Sequence, residues 1–233
     1  MNDKQLSMRL ERVAAYLDSY RKIADIGSDH AYLPCFLGLR NESVQAIAGE
    51  INEGPFQSAK MQVRRSGLSE RVEVRKGSGL SVIDSEDEVR AIAIAGMGGP
   101  LIASILEDGK DRLTGVERLV LQPNIAAHAV REWLIRNKYY LVDEDILEED
   151  GKIYEILVAE PWKEERHYTE MELLLGPFLS KKRTIPFKKK WQREVDAWNQ
   201  VLKELEKGKQ SNETVAKRNE IIEKIKIVKE VLQ

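Results

Sequence analysis

Asp25, Gly27, Asp29 and His30 crowd into the stretch DIGSDHAYLP, Asp25 to Pro34, directly after the apolar run 22–26. A strand that ends in a tight turn and opens a helix aims backbone N–H groups and the positive helix end at a ligand. The chemistry is that of a nucleotide-type site. A dinucleotide fingerprint needs Gly-x-Gly-x-x-Gly, so that a pyrophosphate can lie on bare backbone. Here Asp29 stands two residues after Gly27, where a second glycine is required. A carboxylate there repels a pyrophosphate but suits a ligand that carries an ammonium group and a sulfonium centre. S-adenosylmethionine is such a ligand.

A second apolar run, 44–50, ends in Glu50, about 25 residues after the first turn. An acid at that strand end lies where the ribose hydroxyls of an adenosine cofactor are held. Asp25 and Glu50 form a coherent pair. Further along, Ala95-Gly96-Met97-Gly98-Gly99 ends a fourth apolar run, and Gln122-Pro-Asn124 ends a fifth. Glycines leave room for a planar base, and a polarizable methionine covers its face. Met97 and Gly98 are therefore candidates for positioning a substrate base, with the Gln122 and Asn124 amides reading its edges. Methyltransferases acting on exocyclic amines carry an Asn/Asp-Pro-Pro-aromatic sequence after the fourth strand, which this chain lacks.

The elements that must position these residues are legible as alternating periods. Leu6, Leu10, Val13 and Leu17 recur at helical spacing. Strands are predicted over 22–27, 44–50, 72–76, 91–96, 118–122, 139–144 and 153–160, with helices over 53–66, 100–108 and 126–137 between them. Seven strands alternating with helices argue for a doubly wound α/β sheet. Only a short, acidic turn containing Gly151 separates the last two, which excludes a parallel crossover and predicts an antiparallel hairpin at the sheet edge.

After Pro161 the pattern changes. Trp191, Val195, Trp198, Leu202 and Leu205 step by 4, 3, 4 and 3, and Ile221, Ile225, Val228 and Leu232 by 4, 3 and 4. Such seams predict an antiparallel helical hairpin of coiled-coil type, broken by Gly208 and restarted by a Ser211 cap. In this reading Trp191 and Trp198 are core. The predicted domains are 1–162 and 163–233.

Charge divides along the same line. Residues 1–162 hold 20 Lys/Arg against 27 Asp/Glu, whereas residues 163–233 hold 17 against 12, within a total of −2. Lys181, Lys182, Arg183, Lys188, Lys189, Lys190 and Arg193 lie close together with no acid among them. A local cluster of that density is either a solvated face or a surface for a phosphate backbone. No apolar run approaches the roughly 18 residues of a membrane span, and the first residues lack a secretory pattern. With the single cysteine Cys35, a cytoplasmic protein without disulfides is expected. Three scattered histidines, His30, His128 and His167, argue against a metal site.

The segments Asp25 to Pro34, Ile47 to Glu50, Ile94 to Gly99, Leu121 to Asn124, Glu155 to Val158 and Gly176 to Ser180 together resemble the bacterial tRNA (adenine(22)-N1)-methyltransferase family. The resemblance covers nearly the whole chain. It implies a Rossmann-like, class I methyltransferase domain, a C-terminal helical hairpin, and S-adenosylmethionine-dependent methylation of N1 of an adenine in the D-arm region of tRNA. By position, Gly27, Asp29 and His30 would line the methionine end of the cofactor with Asp25 behind them. Glu50 would hold the ribose, with Ile51 and Asn52 flanking the adenosine. Lys76, Gly77 and Ser78 would border the adenine ring, and Ala95, Gly96 and Met97 would form the floor under the sulfonium. An acid usual in this class after the third strand is absent, Gly77-Ser78-Gly79 standing there. The basic cluster would bind tRNA, and no obligate protein partner is inferred. A small-molecule methyltransferase with the same cofactor, and a non-enzymatic scaffold with a vestigial site, remain open on the residues alone.

Overall fold

Apolar strands alternating with amphipathic helices close into one seven-stranded sheet. The computed structural model describes residues 5–162, 167–207 and 211–233. Its helices and strands begin α1 (Met8–Leu17), β1 (Lys22–Ile26), α2 (Tyr32–Arg40), β2 (Gln45–Glu50), α3 (Glu53–Arg65) and β3 (Val72–Lys76). They continue as β4 (Ala91–Gly98), α4 (Gly99–Asp108), β5 (Arg118–Ile125), α5 (Ala127–Arg136), β6 (Tyr139–Glu149) and β7 (Lys152–Pro161). Then follow α6 (Glu170–Leu175), α7 (Leu179–Lys182), α8 (Ile185–Lys207) and α9 (Asn212–Leu232).

The strand order is β3-β2-β1-β4-β5-β7-β6. β1 pairs parallel with β2 on one side and β4 on the other, so the direction of winding reverses between β1 and β4. Open α/β sheets bind ligands beyond the carboxyl ends of strands at such a switch point. Ile23 to Ile26 and Ala91 to Ile94 are all buried, as strands covered on both faces require. β7 runs antiparallel to β5. Asp150 and Gly151 join it to β6 with φ of 50° and 75°, the two left-handed residues that a tight hairpin turn needs. The hairpin is longer than expected: β6 continues through the acidic residues to Glu149 because Glu144 and Ile146 turn inward between them.

A buried ion triad anchors that hairpin. Arg131 of α5 lies between Glu144 of β6 and Glu155 of β7, its Nη2 2.7 Å from Glu144 Oε1 and 2.9 Å from Glu155 Oε2. All three side chains are at most 2% exposed, so the mutual attraction has to offset the desolvation of three charges.

The chain forms two compact units, one of Met1–Asp145 with Tyr154–His167, the other of Ile146–Ile153 with Tyr168–Gln233. Within the second, Trp191, Val195, Ile221, Ile225 and Val228 share one core, and Trp198, Leu202 and Leu205 pack against it. α8 and α9 thus pair through the two seams, and the Trp191 and Trp198 rings lie 6.2 Å apart. Ile146 belongs to that core. The hairpin tip consequently falls in the second unit, which a boundary at residue 162 does not accommodate. Ser211 caps α9, its hydroxyl accepting from the Thr214 N–H; the expected break at Gly208 lies outside the described residues. Among the described residues no helix is long and apolar enough to cross a membrane.

Removing the guanidinium strands two buried carboxylates. Arg131→Ala is expected to lower stability by roughly 3–5 kcal/mol, read from urea denaturation; a loss below about 1 kcal/mol would show the triad to be dispensable.

Candidate cofactor and substrate site

Where β1 and β4 end side by side, a cavity of about 260 Å³ opens between the two strand ends and α1. Asp25, Gly27, Ser28 and Asp29 form one wall, Ala95, Gly96 and Met97 the other, and Arg9, Leu10, Tyr32 and Leu33 complete it. A larger cleft of about 410 Å³, lined by Lys22, Gln45, Arg71 and their neighbours, lies at the opposite ends of β1 and β2. That is the wrong end of the sheet for a ligand, and the smaller cavity is the candidate site.

The turn after β1 is built from left-handed residues, with φ of 72° at Gly27, 50° at Asp29 and 54° at Ala31. Gly27 and Ser28 both donate to the Gly49 carbonyl, at 2.9 and 3.0 Å. Those two N–H groups therefore fasten the turn to β2 instead of pointing at a ligand, and α2 starts only at Tyr32. Gly27 is favoured by its φ, one that side chains disfavour, and a Cβ there would also displace the Met97 methyl, 2.1 Å away.

Asp25 is buried, and the Ser28 hydroxyl donates to it at 2.5 Å. Burial pushes its carboxyl up to about 6, against the hydrogen bond from Ser28 and the nearby charge of Arg9. Glu50 is likewise buried and is gripped by backbone. Its Oε1 accepts from the Ile51 and Asn52 N–H groups at 2.9 and 3.0 Å, and Oε2 faces the Asp29 N–H at 3.4 Å. One carboxylate thus ties the turn after β1 to the start of α3, with acceptor capacity remaining on Oε2.

The end of β4 departs from regular pairing. Its register against β5 passes from Ala95↔Gln122 to Met97↔Pro123, and Gly96, at φ 81°, stands in the bulge between. Gln122 Oε1 accepts from the Gly96 N–H at 3.0 Å and from Arg9, while Asn124 Nδ2 donates to the Gly96 carbonyl at 2.8 Å. Gln122 Nε2 in turn donates to Asn124 Oδ1 at 3.2 Å. Gln122 is fully buried. Gln122, expected to read a base edge, is instead buried and satisfies the bulge, whereas Asn124 stands exposed beside it with Nδ2 on the Gly96 carbonyl.

A model of the tRNA (adenine(22)-N(1))-methyltransferase family matches residues 23–230. The chain belongs to that family. It is 49% identical over 236 residues to the tRNA (adenine(22)-N(1))-methyltransferase of Bacillus subtilis, covering 100% of this chain and 99% of that protein. The crystal structure of the Bacillus subtilis M1A22 tRNA methyltransferase superposes with a TM-score of 0.92 at 46% identity, over 99% of this chain and 100% of that one. The Streptococcus pneumoniae protein Sp1610, solved in complex with S-adenosyl-L-methionine, gives 0.88 at 43% identity, over 98% of this chain and 100% of that one.

Against this family's chemistry, the remaining expected residues fall in different places. His30 stacks on Tyr32 at 5.1 Å with its Nε2 3.7 Å from Asp29 Oδ1, outside the cavity lining. Lys76 is turned to the surface, where its amine meets Glu53 at 2.5 Å. Gly77 N–H donates to the Glu50 carbonyl at 3.0 Å and Ser78 precedes a short 3-10 turn, keeping both near the Glu50 turn. Ile51 is exposed beside Asn52 at the start of α3. In the second unit Lys189 and Arg193 both engage Glu148, and Arg193 also donates to the Gly151 carbonyl at 3.1 Å. Lys190 lies 4.8 Å over the Trp191 ring, Arg183 donates to the Ser180 carbonyl, and Lys181, Lys182 and Lys188 are exposed.

Arg9 is the charged cavity residue that sequence reasoning missed. Its guanidinium sits 5.2 Å from the Tyr154 ring centroid and reaches Gln122. The signal was present: Arg9 is three residues after Leu6 and four before Val13, a cation on the apolar face of an amphipathic helix.

The raised carboxyl of Asp25 has a sign. Between its unfolded value near 3.8 and about 6 the folded chain binds the extra proton, so stability falls as pH rises through that window and the deficit is complete above it. Asp25→Asn, free of that penalty, is expected to be more stable than the parent at pH 7.5, by no more than about 3 kcal/mol from denaturant unfolding, with the gap closing as pH is lowered toward 4. A gap independent of pH would contradict the assignment.

Proposed function

We propose that the chain transfers a methyl group from S-adenosylmethionine to N1 of adenine 22 of tRNA. The observation that carries this reading is the cavity at the β1/β4 switch point, in which Asp25, Asp29 and Met97 meet in a chain of this family. The donor set fits the cofactor. Two carboxyls suit an ammonium and a sulfonium, Arg9 offers a counter-charge to a carboxylate, and the spare acceptor capacity of Glu50 suits a ribose diol. When bound, the cofactor supplies an electrophilic methyl group.

The chain's own residues hold and shield. Asp25 is ionised at neutral pH, because burial raises it only to about 6, and keeps the cavity anionic. Glu50 orients the ribose from a position fixed by backbone donors. The bulge held by Gln122 and Asn124 sets Met97 and Gly98 at the substrate side. Adenine N1 attacks with an in-plane lone pair and loses no proton, so the site needs no general base. Positioning alone can contribute roughly 7–11 kcal/mol in the best-oriented cases. The product base is a cation, which an acidic cavity stabilises.

The target base has to leave its stack, at a cost of a few kcal/mol, offset by contacts to the RNA backbone. We assign those contacts to the basic cluster Lys181 to Arg193 of the second unit, chiefly through its exposed lysines.

Incubating unmodified tRNA transcripts with enzyme and cofactor is expected to give 1-methyladenine at position 22, mapped by mass spectrometry of nuclease fragments; another product or position overturns the reading. By calorimetry, Glu50→Gln is expected to weaken S-adenosylmethionine binding about tenfold. Lys181→Glu with Lys188→Glu is expected to weaken tRNA binding and to lower its salt slope by about 1 per lysine. Cofactor affinity, by calorimetry, stays unchanged in that variant. Parental tRNA affinity there would remove the cluster from the RNA surface.

A further inference from the structure

Ile125 is 70% exposed at the end of β5, directly after the amide that grips Gly96. A lone exposed isoleucine is ordinary on a protein surface, but this one is paired with the residue that directly follows the cavity wall on β4. Its register partner is Gly98, a residue with no side chain. A Cβ placed on Gly98 would lie 3.7 Å from Ile125 Cγ1 and 4.0 Å from Pro100 Cδ. Across the ladder, then, the isoleucine looks over bare backbone toward a proline ring, leaving a gap one glycine wide between two apolar groups.

That shelf is rigid. Ala126, next along, is left-handed at φ 53°. Its carbonyl closes against the first residue of α4, where a Cβ on Gly99 would come within 2.1 Å of it. The shelf is also continuous with the site. Ala95, Gly96 and Met97 line the cavity and Gly98 is the next residue of β4, so the apolar ledge begins where the cavity wall ends. No charge stands on it.

A purine taken out of a helix loses the neighbours on both its faces, and pockets for extruded bases replace them with aromatic or apolar side chains. We infer that Ile125, facing Pro100 across Gly98, is the surface on which one face of the target adenine packs while its N1 edge is turned toward the cavity. This rests on the tRNA reading above and deepens it. Ile125 acts as a positioning residue: it takes no part in bond making and sets the plane and depth of the base.

The test is single-turnover methylation of a tRNA transcript at saturating S-adenosylmethionine, with calorimetric cofactor affinity and Tm measured alongside. Ile125→Ala is expected to slow methyl transfer about tenfold, with cofactor affinity and Tm at parental values because the side chain is mostly in solvent. Ile125→Leu, which keeps the apolar volume, is expected to stay within about twofold of the parent, and Ile125→Ser to behave like the alanine variant. A parental rate in Ile125→Ala overturns the inference alone, as does a loss accompanied by an equal loss of cofactor affinity or Tm. Failure of the parent enzyme to methylate tRNA overturns the functional reading and this inference with it.

Discussion

One residue out of register organises the cavity wall. At Gly96 the parallel ladder between β4 and β5 skips a residue, and a backbone N–H and C=O lose their strand partners. Backbone groups that leave a ladder need other partners, and here the Gln122 and Asn124 side chains supply them from the neighbouring strand. Everything on the substrate side follows from that repair. Met97 is turned over the Gly27 turn, Gly98 and Gly99 are delivered to the start of α4, and Ile125 is left facing outward. Pro123, opposite Met97, is compatible with the bulge because it brings no N–H of its own.

The opposite wall is held by a different device. Glu50 spans two turns with one carboxylate, accepting from Ile51 and Asn52 on one side and facing Asp29 on the other. A residue that orders the loops and also offers lone pairs to a ligand couples site geometry to fold integrity. Asp25 sits between these walls, buried and held by Ser28. Its burial works against ionisation, so a cationic ligand is the partner that would recover the lost solvation.

The second unit uses ordinary hydrophobic packing. Phe187, Trp191 and Val195 of α8 share a core with Ile221, Ile225 and Val228 of α9, and Ile146 from the hairpin tip joins them. The basic cluster is mixed in character: Lys189 and Arg193 are engaged with Glu148 of the same unit, whereas Lys181 and Lys188 stand in solvent. Exposed lysines keep their counter-ions until a polyanion displaces them, and that release carries most of a salt-dependent affinity.

What the sequence by itself determined is whatever depends on local period and local stereochemistry. The seven apolar strands, the hairpin turn at Gly151, the helical seams, and the acids following β1 and ending β2 are properties of short windows, and a window of ten residues contains their physics. What only the tertiary structure decided is who satisfies whom. Gln122 reads as a base-facing amide because nothing nearby in sequence reveals the bulge 26 residues earlier that claims it. Arg131 is buried only because β6 and β7 close two carboxylates over it. Arg9 and the hairpin tip were assigned by the same kind of long-range contact. Polar groups choose partners by distance and burial, and both exist only after the chain has folded.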